Sequence, residues 1–357
     1  MEGMDPRRVP GRRARRIAGV AVAAWVALAA AGPVLAHGGV VPPAPTVDAF
    51  LFDWGFDPLV WLPAITALLL WRAGVRRVDR LHPDARVQRR RTVSFVAGVA
   101  VIMVALDSGI ARYDTTLFSV HMVQHMLLTL VAPPLLLWAG PITLLLRAAS
   151  HEVRMRWILP VLHARAVRAL AFPVVSWVLF ASVMWGTHFS PLFDLSLENP
   201  AVHILEHALF LAVALLFWWP IAGSDPAPWR MPPVAKVLYA FLQMPQNTFL
   251  AVAVYMATTP LYPHYVTTVR SWGPTPLEDQ ALAGGLMWVG GDFAFLIAVI
   301  LLVRVWMNDE ERRTIGEDRK IEGERAAIRE REVRLAARLA AEAAAAGQPS
   351  GGSGDPR

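Results

Sequence analysis

The chain has 357 residues, of which 55% are hydrophobic and only 17% are charged. Soluble domains carry about 25% charged residues, so this composition excludes a disordered chain and disfavours an ordinary soluble enzyme. There are no cysteines, which excludes disulfides, thiolate metal sites, iron–sulfur clusters and cysteine nucleophiles. Any metal ligand must therefore come from His, Met, Asp or Glu.

The net charge of +6 is concentrated near the N-terminus, where residues 1–36 hold six Arg and two acidic residues. The remaining arginines lie mostly in short loops between apolar runs. This distribution follows membrane topology rather than a phosphate-binding face, so we expect a lipid bilayer and no nucleic acid as partner.

Residues 1–36 have the features of a signal peptide. An Arg-rich stretch (7–16) precedes an apolar run (17–35), and small residues stand where a signal peptidase reads before Ala36. An uncleaved N-terminal transmembrane segment is the alternative. Cleavage would expose His37, whose amine and imidazole together chelate Cu(II). The alternative is that the extracytoplasmic leader, 37–55, has no specific role.

Seven apolar runs of about 20 residues follow, each long enough for a transmembrane helix. They lie near 56–72, 92–110, 117–146, 170–189, 200–221, 236–258 and 280–306. Prolines inside the third run predict one bent helix, or a helix followed by a re-entrant piece. The predicted fold is an all-α, polytopic transmembrane helix bundle over 56–307, followed by a charged tail over 308–357, helical and then disordered.

The positive charges predict the orientation of this bundle. Loops 72–91, 147–169 and 222–236 together carry 15 Arg and Lys, whereas the alternate loops carry only Arg112 and Arg270. The positive-inside rule therefore predicts a bacterial plasma-membrane protein with the three basic loops and the C-terminal tail on the cytoplasmic side.

The histidines are the most informative polar residues. Three of the ten (His82, His151 and His163) lie in the basic loops and are expected to be ordinary surface residues. His121 and His125 are one helical turn apart in the third span, roughly 6 and 12 Å from its outer end. His203 and His207 repeat this spacing in the fifth span, and His188 ends the fourth span on the same side.

Five histidines at one level of a bilayer favour a metal or cofactor site over interhelical hydrogen bonding alone. Residues of a second tier approach the same level: Glu206, His264, Asp279, Gln280 and Met287. Thioether with imidazole suits Cu(I), whereas imidazole alone suits Cu, Zn or Fe. For Glu206 we expect an orienting role beside the ligands.

Several strings resemble the CtaG-type assembly factors of caa-type cytochrome c oxidase. They are FSVHMVQHMLLTLVAPPLLLWAGP (118–141), WGTHFSP (185–191), HILEH (203–207), MPQNTFLAV (244–252), LYPHY (261–265) and DQALAGGLMWVGGD (279–292). The resemblance implies a multi-span protein that helps build a haem–copper oxidase, with a role in copper delivery. It also implies functional positions at His121, His125, His188, His203 and His207, and then at Asp279, Gln280 and Met287.

The leading hypothesis is an assembly factor, not an enzyme, that holds copper on the outer side. Its partners would be oxidase subunits or a periplasmic copper carrier. One alternative is an electron-transfer protein that binds haem b between the two histidine pairs. A third reading is an intramembrane zinc hydrolase, because HILEH matches the pattern HxxEH with Glu206 as base. A copper transporter and a purely structural role also stay open.

Overall fold

The computed structural model describes residues 41–222 and 224–346, and every regular element in those two ranges is helical. The all-α prediction is therefore confirmed. The predictions of a signal segment, of a chelating His37 and of a disordered C-terminal end fall on residues outside the two ranges.

Seven long helical segments follow one another along the chain. They are α1 (Pro58–Leu81), α2 (Arg89–Asp107 and Gly109–Tyr113), α3 (Phe118–Met126, Leu127–Val131, Ala132–Ala139 and Pro141–Ala148), α4 (Pro173–His188), α5 (Pro200–Ala222), α6 (Pro233–Phe241 and Gln243–Tyr255) and α7 (Pro276–Ala346). Short helices (Val47–Phe52, Leu192–Glu198 and Pro263–Thr267) lie at the end where α3 begins. At the opposite end are Pro83–Ala85, His151–Val153, Arg154–Ile158, Leu159–Leu162 and Arg165–Leu170.

Among the described residues, six of these segments are long and apolar enough to cross a membrane, all except α4. The α4 helix has 16 residues, which at the α-helical rise span roughly 24 Å, less than a hydrocarbon core of about 30 Å. The predicted span at 170–189 therefore corresponds to a shorter helix, which begins with Pro173 at its first position.

The α3 segment departs from a regular α-helix where its prolines remove backbone donors. Its turn at Leu127–Val131 is a π-helix, and Pro133 cannot donate to the carbonyl of Thr129 as a helical residue normally would. The indole nitrogen of Trp218 on α5 donates to that carbonyl instead, at 2.9 Å. Gly140 then ends this part of α3 with φ +76°, a conformation that glycine adopts without strain. The third run is thus interrupted at its prolines and at Gly140, as the prolines in the sequence predicted.

Two carboxylates fix the helix ends near the histidines. Asp279 of α7 accepts hydrogen bonds from the backbone of Phe118 (2.6 Å) and from the hydroxyl of Ser119 (2.5 Å), so it caps the first turn of α3. Asp107 at the end of α2 accepts from the backbone of Phe56 and Asp57, at 2.9 Å each. The first carboxylate sets the position of α3 against α7, and the second holds the loop before α1.

The described part of the chain divides into two compact units, with the boundary between Ile300 and Leu301. The first contains α1–α6, the beginning of α7 and all of the candidate site. The second is helical as far as it is described, with mostly exposed side chains. It carries ion pairs one turn apart, such as Arg334 with Glu330, at 2.6 Å, which are typical of a solvated helix.

Candidate metal centre

Three helices bring the five predicted histidines together at one end of the bundle. They form the histidine cluster, defined as His121 and His125 on α3, His188 on α4, and His203 and His207 on α5. Ring centroids within each helical pair lie 4.1 Å apart on α3 and 4.3 Å apart on α5. His188 reaches the group from α4, with its centroid 6.3 Å from that of His125.

The two helical pairs face each other across the α3–α5 contact. The rings of His121 and His203 are nearly parallel, with centroids 5.5 Å apart and an interplanar angle of 13°. Those of His125 and His207 are nearly perpendicular at 5.7 Å. The matching depth inferred from the sequence therefore becomes direct proximity, because both helices turn their histidine faces toward the same interface.

Glu206 joins this cluster from α5. One ligand atom from each of His121, His203 and Glu206 can be chosen so that all three atoms lie within 4.8 Å of one another. Glu206 is buried, with 7% of its surface exposed. Two imidazole nitrogens and a carboxylate oxygen form a donor set for Cu(II), Zn(II) or Fe(II).

Several buried polar atoms of the histidine cluster and of Glu206 have no hydrogen-bond partner within the part of the chain that the structure describes. Both ring nitrogens of His121 and of His125 are buried without a hydrogen-bond partner, as is Oε2 of Glu206. Leaving a buried polar atom unsatisfied costs on the order of 1–3 kcal/mol. Packing alone does not offset that cost, whereas a bound ion would satisfy the unpaired atoms. These residues therefore fit a site that binds an ion.

His188 has its two nitrogens in different surroundings. Its Nδ1 donates to the carbonyl of Met184 at 2.7 Å, whereas its buried Nε2 has no hydrogen-bond partner among the described residues. A histidine whose Nδ1–H is held by a carbonyl keeps its Nε2 lone pair for a metal.

His207 is oriented by two residues outside the cluster. Nε2 of Gln124 donates to the carbonyl of Ala105 (2.9 Å) and to the carboxylate of Asp114 (3.0 Å). The amide oxygen of Gln124 therefore faces His207, whose Nε2–H donates to it at 3.1 Å. This tautomer leaves Nδ1 of His207 as its lone-pair donor. Burial raises the pKa of Asp114 to about 7, although the hydrogen bond from Gln124 opposes the shift.

A cavity of about 310 Å³ lies beside the α5 side of the cluster. His203 and His207 line it together with Asp114 and Gln124. Its lining also includes Glu198, in the connection before α5. The cavity therefore extends from the connecting segments at this end of the bundle to two of the five histidines.

Most of the second-tier residues support the fold around the cluster. Asp279 caps α3, as described above. Gln280 accepts from the backbone of Leu261 at 2.6 Å and donates to the carbonyl of Thr259 at 3.3 Å, which ties α7 to the loop after α6. The imidazole of His264 donates to the carbonyl of Thr115 at 2.9 Å. Met287 is buried and lines a smaller pocket together with His125 and His188.

Sequence reasoning missed Gln124 and Asp114. A signal for the first was available, because Gln124 is a polar residue in an otherwise apolar span, between His121 and His125. Asp114 had no such signal, because a carboxylate in a short loop before a span is normally solvated.

Comparisons with known proteins find one family model and several relatives that match this chain. The model of a family described as "Cytochrome c oxidase caa3 assembly factor" matches residues 69–309. An uncharacterised protein of Mycobacterium leprae is 29% identical over 289 residues, which cover 78% of this chain and 43% of the relative. Uncharacterised proteins of Mycobacterium bovis and Mycobacterium tuberculosis are each 30% identical, with the same coverage. The chain thus spans less than half the length of these relatives. No solved structure matches the chain.

Proposed function

Because the chain belongs to the cytochrome c oxidase caa3 assembly factor family, we propose that it is a membrane protein that helps to assemble a haem–copper oxidase. We further propose that it holds copper, as cargo for the oxidase, in the histidine cluster. The family supports the assembly role, and the cluster supports the metal.

One observation carries the copper proposal: ligand atoms of His121, His203 and Glu206 lie within 4.8 Å of one another. The three residues come from two helices, so no single helix creates the site by its own periodicity. In this proposal Glu206 is a ligand rather than the orienting residue expected from the sequence, because its Oε2 has no hydrogen-bond partner in the described chain.

The proposed orientation places the cluster where a copper carrier can reach it. The basic loops 72–91, 147–169 and 222–236 lie in the cytoplasm by the positive-inside rule, and the cluster lies at the opposite end of the bundle. The cavity lined by His203 and His207 extends toward that outer end. The partners in this proposal are an oxidase subunit that receives copper and a carrier that supplies it.

Metal analysis of the purified protein tests this proposal. We expect copper to co-purify with the protein. His121→Ala and His203→Ala should each lower the copper content by the same amount, and the double variant should lower it no further, because the two imidazoles share one ion. His82→Ala is the matched control, since His82 is exposed at the end of α1 and should leave the copper content unchanged.

The absorption spectrum of the same samples separates the alternatives. A Soret band that is present in the wild-type protein and lost in His121→Ala would identify the bound group as haem b instead of copper. Zinc alone would favour the hydrolase hypothesis. A further loss of copper when His121→Ala and His203→Ala are combined would contradict an ion shared by these two residues, and no metal in the wild-type protein would contradict the copper proposal.

A further inference from the structure

A second pocket lies on the other side of the cluster, against α6 and α7. It has a volume of about 40 Å³, larger than the roughly 10–15 Å³ that one water molecule requires. Its lining includes four thioethers and two imidazoles, which we call the methionine pocket: Met122, Met126, Met184, Met287, His125 and His188.

The imidazoles of this pocket are available as ligands. His125 is 4% exposed and neither of its ring nitrogens has a hydrogen-bond partner in the described chain. Nε2 of His188 is also buried without a hydrogen-bond partner among the described residues. The ring forms its hydrogen bond through Nδ1, which donates to the carbonyl of Met184. Three unsatisfied nitrogens, on two imidazoles, therefore belong to one small pocket, as a bound ion would require.

The methionines of the pocket come from three helices, and the backbone makes room for one of them. A methyl group at Gly290 of α7 would lie 2.4 Å from Cε and 3.6 Å from Sδ of Met126. The absence of a side chain at Gly290 thus lets this thioether approach α7. Met122 and Met287 are buried at 1% and 6% exposure.

We propose that the methionine pocket is a second metal site that binds Cu(I). Thioether and imidazole ligands select monovalent copper, whereas the carboxylate of the first site suits harder ions. This inference deepens the proposed function and rests on it for the identity of the cargo. When the first site holds copper as Cu(I), transfer between the two sites is ligand exchange. The bonds to His121, His203 and Glu206 break as bonds to His125 and the thioethers form, and no electron is gained or lost.

The proximity of the two sites supports such an exchange. The ring centroids of His121, in the first site, and of His125, in the methionine pocket, lie 4.1 Å apart on adjacent turns of α3. An ion could therefore pass from one site to the other without leaving the protein.

X-ray absorption of the full chain loaded with Cu(I) under anaerobic conditions tests the ligand type. The chain has no cysteine, so any sulfur bound to copper must come from methionine. We expect sulfur scattering in the wild-type protein and less of it in Met126→Leu/Met287→Leu. Nitrogen and oxygen scattering alone in the wild-type protein would overturn the inference.

Binding of Ag(I), a monovalent soft ion that does not change oxidation state, gives an independent measurement. We expect its affinity to fall at least tenfold in Met126→Leu/Met287→Leu, because leucine keeps the volume and removes the sulfur. Met256→Leu is the matched control, because Met256 is 70% exposed and lies outside the pocket. An affinity within twofold of the wild type in the double variant, with its thermal midpoint unchanged, would overturn the inference.

A different variant and a different probe ion test the first site independently of the methionine pocket. His121→Ala/Glu206→Gln should abolish binding of Zn(II), used as a probe for the harder site, while Ag(I) affinity stays within threefold of the wild type. If Zn(II) does not bind the wild-type protein but Ag(I) binds through the methionines, the first site is wrong and the methionine pocket stands. If this variant loses Ag(I) as completely as Zn(II), there is one site, and the inference of a second is wrong.

Discussion

At the scale of single residues, the candidate centre depends on side chains that hold the histidines as much as on the histidines themselves. Gln124 illustrates this dependence. It lies on α3 between two histidines but is directed to a third, His207 on α5, through its amide oxygen. The donors of the same amide are committed to Ala105 and Asp114. Gln124 therefore fixes both the tautomer and the direction of His207.

Replacing Gln124 tests this positioning role. Gln124→Leu removes the acceptor for His207 while keeping a similar volume. We therefore expect the copper affinity of the histidine cluster to fall about 10–100-fold, as is typical when a partner of a metal-binding histidine is lost. Gln88→Leu, at an exposed position before α2, is the control, and competition with a chelator measures both. Equal affinities in the two variants would show that His207 needs no such partner.

At the scale of helices, close approach of backbones determines how α6 and α7 pack. A methyl group at Gly284 of α7 would lie 2.7 Å from the backbone nitrogen of Tyr255 and 2.9 Å from the carbonyl oxygen of Ala251, whereas one at Gly285 would meet nothing within 4 Å. Small residues permit this approach between membrane helices. The contact also matters for the site, because α7 carries both Asp279, which caps α3, and Met287.

These adjacent glycines make a matched pair of variants. We expect Gly284→Ala to destabilise the protein by about 1–3 kcal/mol, because backbone atoms of α6 must move. Gly285→Ala should be neutral or stabilising by up to about 1 kcal/mol, because alanine has the higher helix propensity. Thermal midpoints in detergent compare them, and a destabilised Gly285→Ala variant with an unaffected Gly284→Ala variant would contradict this packing.

The α3 helix shows how one element can be prepared for a site at its end. Asp279 fixes its first turn, and the π-helical turn at Leu127–Val131 follows directly after the histidine pair. Trp218 of α5 satisfies the carbonyl that Pro133 leaves free. The same two helices therefore share a structural hydrogen bond and carry the candidate metal ligands, and the hydrogen bond holds their histidine faces in register.

At the scale of the whole molecule, the distribution of positive charge and the position of the cluster together predict the topology in the membrane. The arginine-rich loops lie at one end of the bundle, and the histidine cluster lies near the other. The proposed delivery of copper to an oxidase on the outer side requires this arrangement.

Single cysteines introduced at the two ends test the topology directly, since the native chain has none. A membrane-impermeant maleimide applied to intact cells whose outer envelope is permeable should label Ser271→Cys, which is exposed in the loop before α7. It should not label Asp84→Cys, which is exposed in the basic loop after α1, until the membrane is disrupted. The reverse pattern would place the cluster in the cytoplasmic half and would exclude outer delivery.

The sequence by itself determined the fold class, most of the helical runs and the level of the histidines in the bundle. Hydropathy suffices for the runs because a bilayer requires each spanning segment to be long, apolar and internally hydrogen-bonded. The i, i+4 spacing suffices to place His121 with His125, and His203 with His207, on one face of their own helices.

Only the tertiary structure decided which faces meet. The rotation of each helix about its axis depends on packing against several neighbours at once, which no single run of sequence contains. That rotation brings Glu206 to the histidines and leaves Asp279 as the cap of α3. It also directs Gln124 to His207. The residue types therefore supply side chains of the kinds that ligate metals, whereas the packing of α3, α4 and α5 decides which of them lie together.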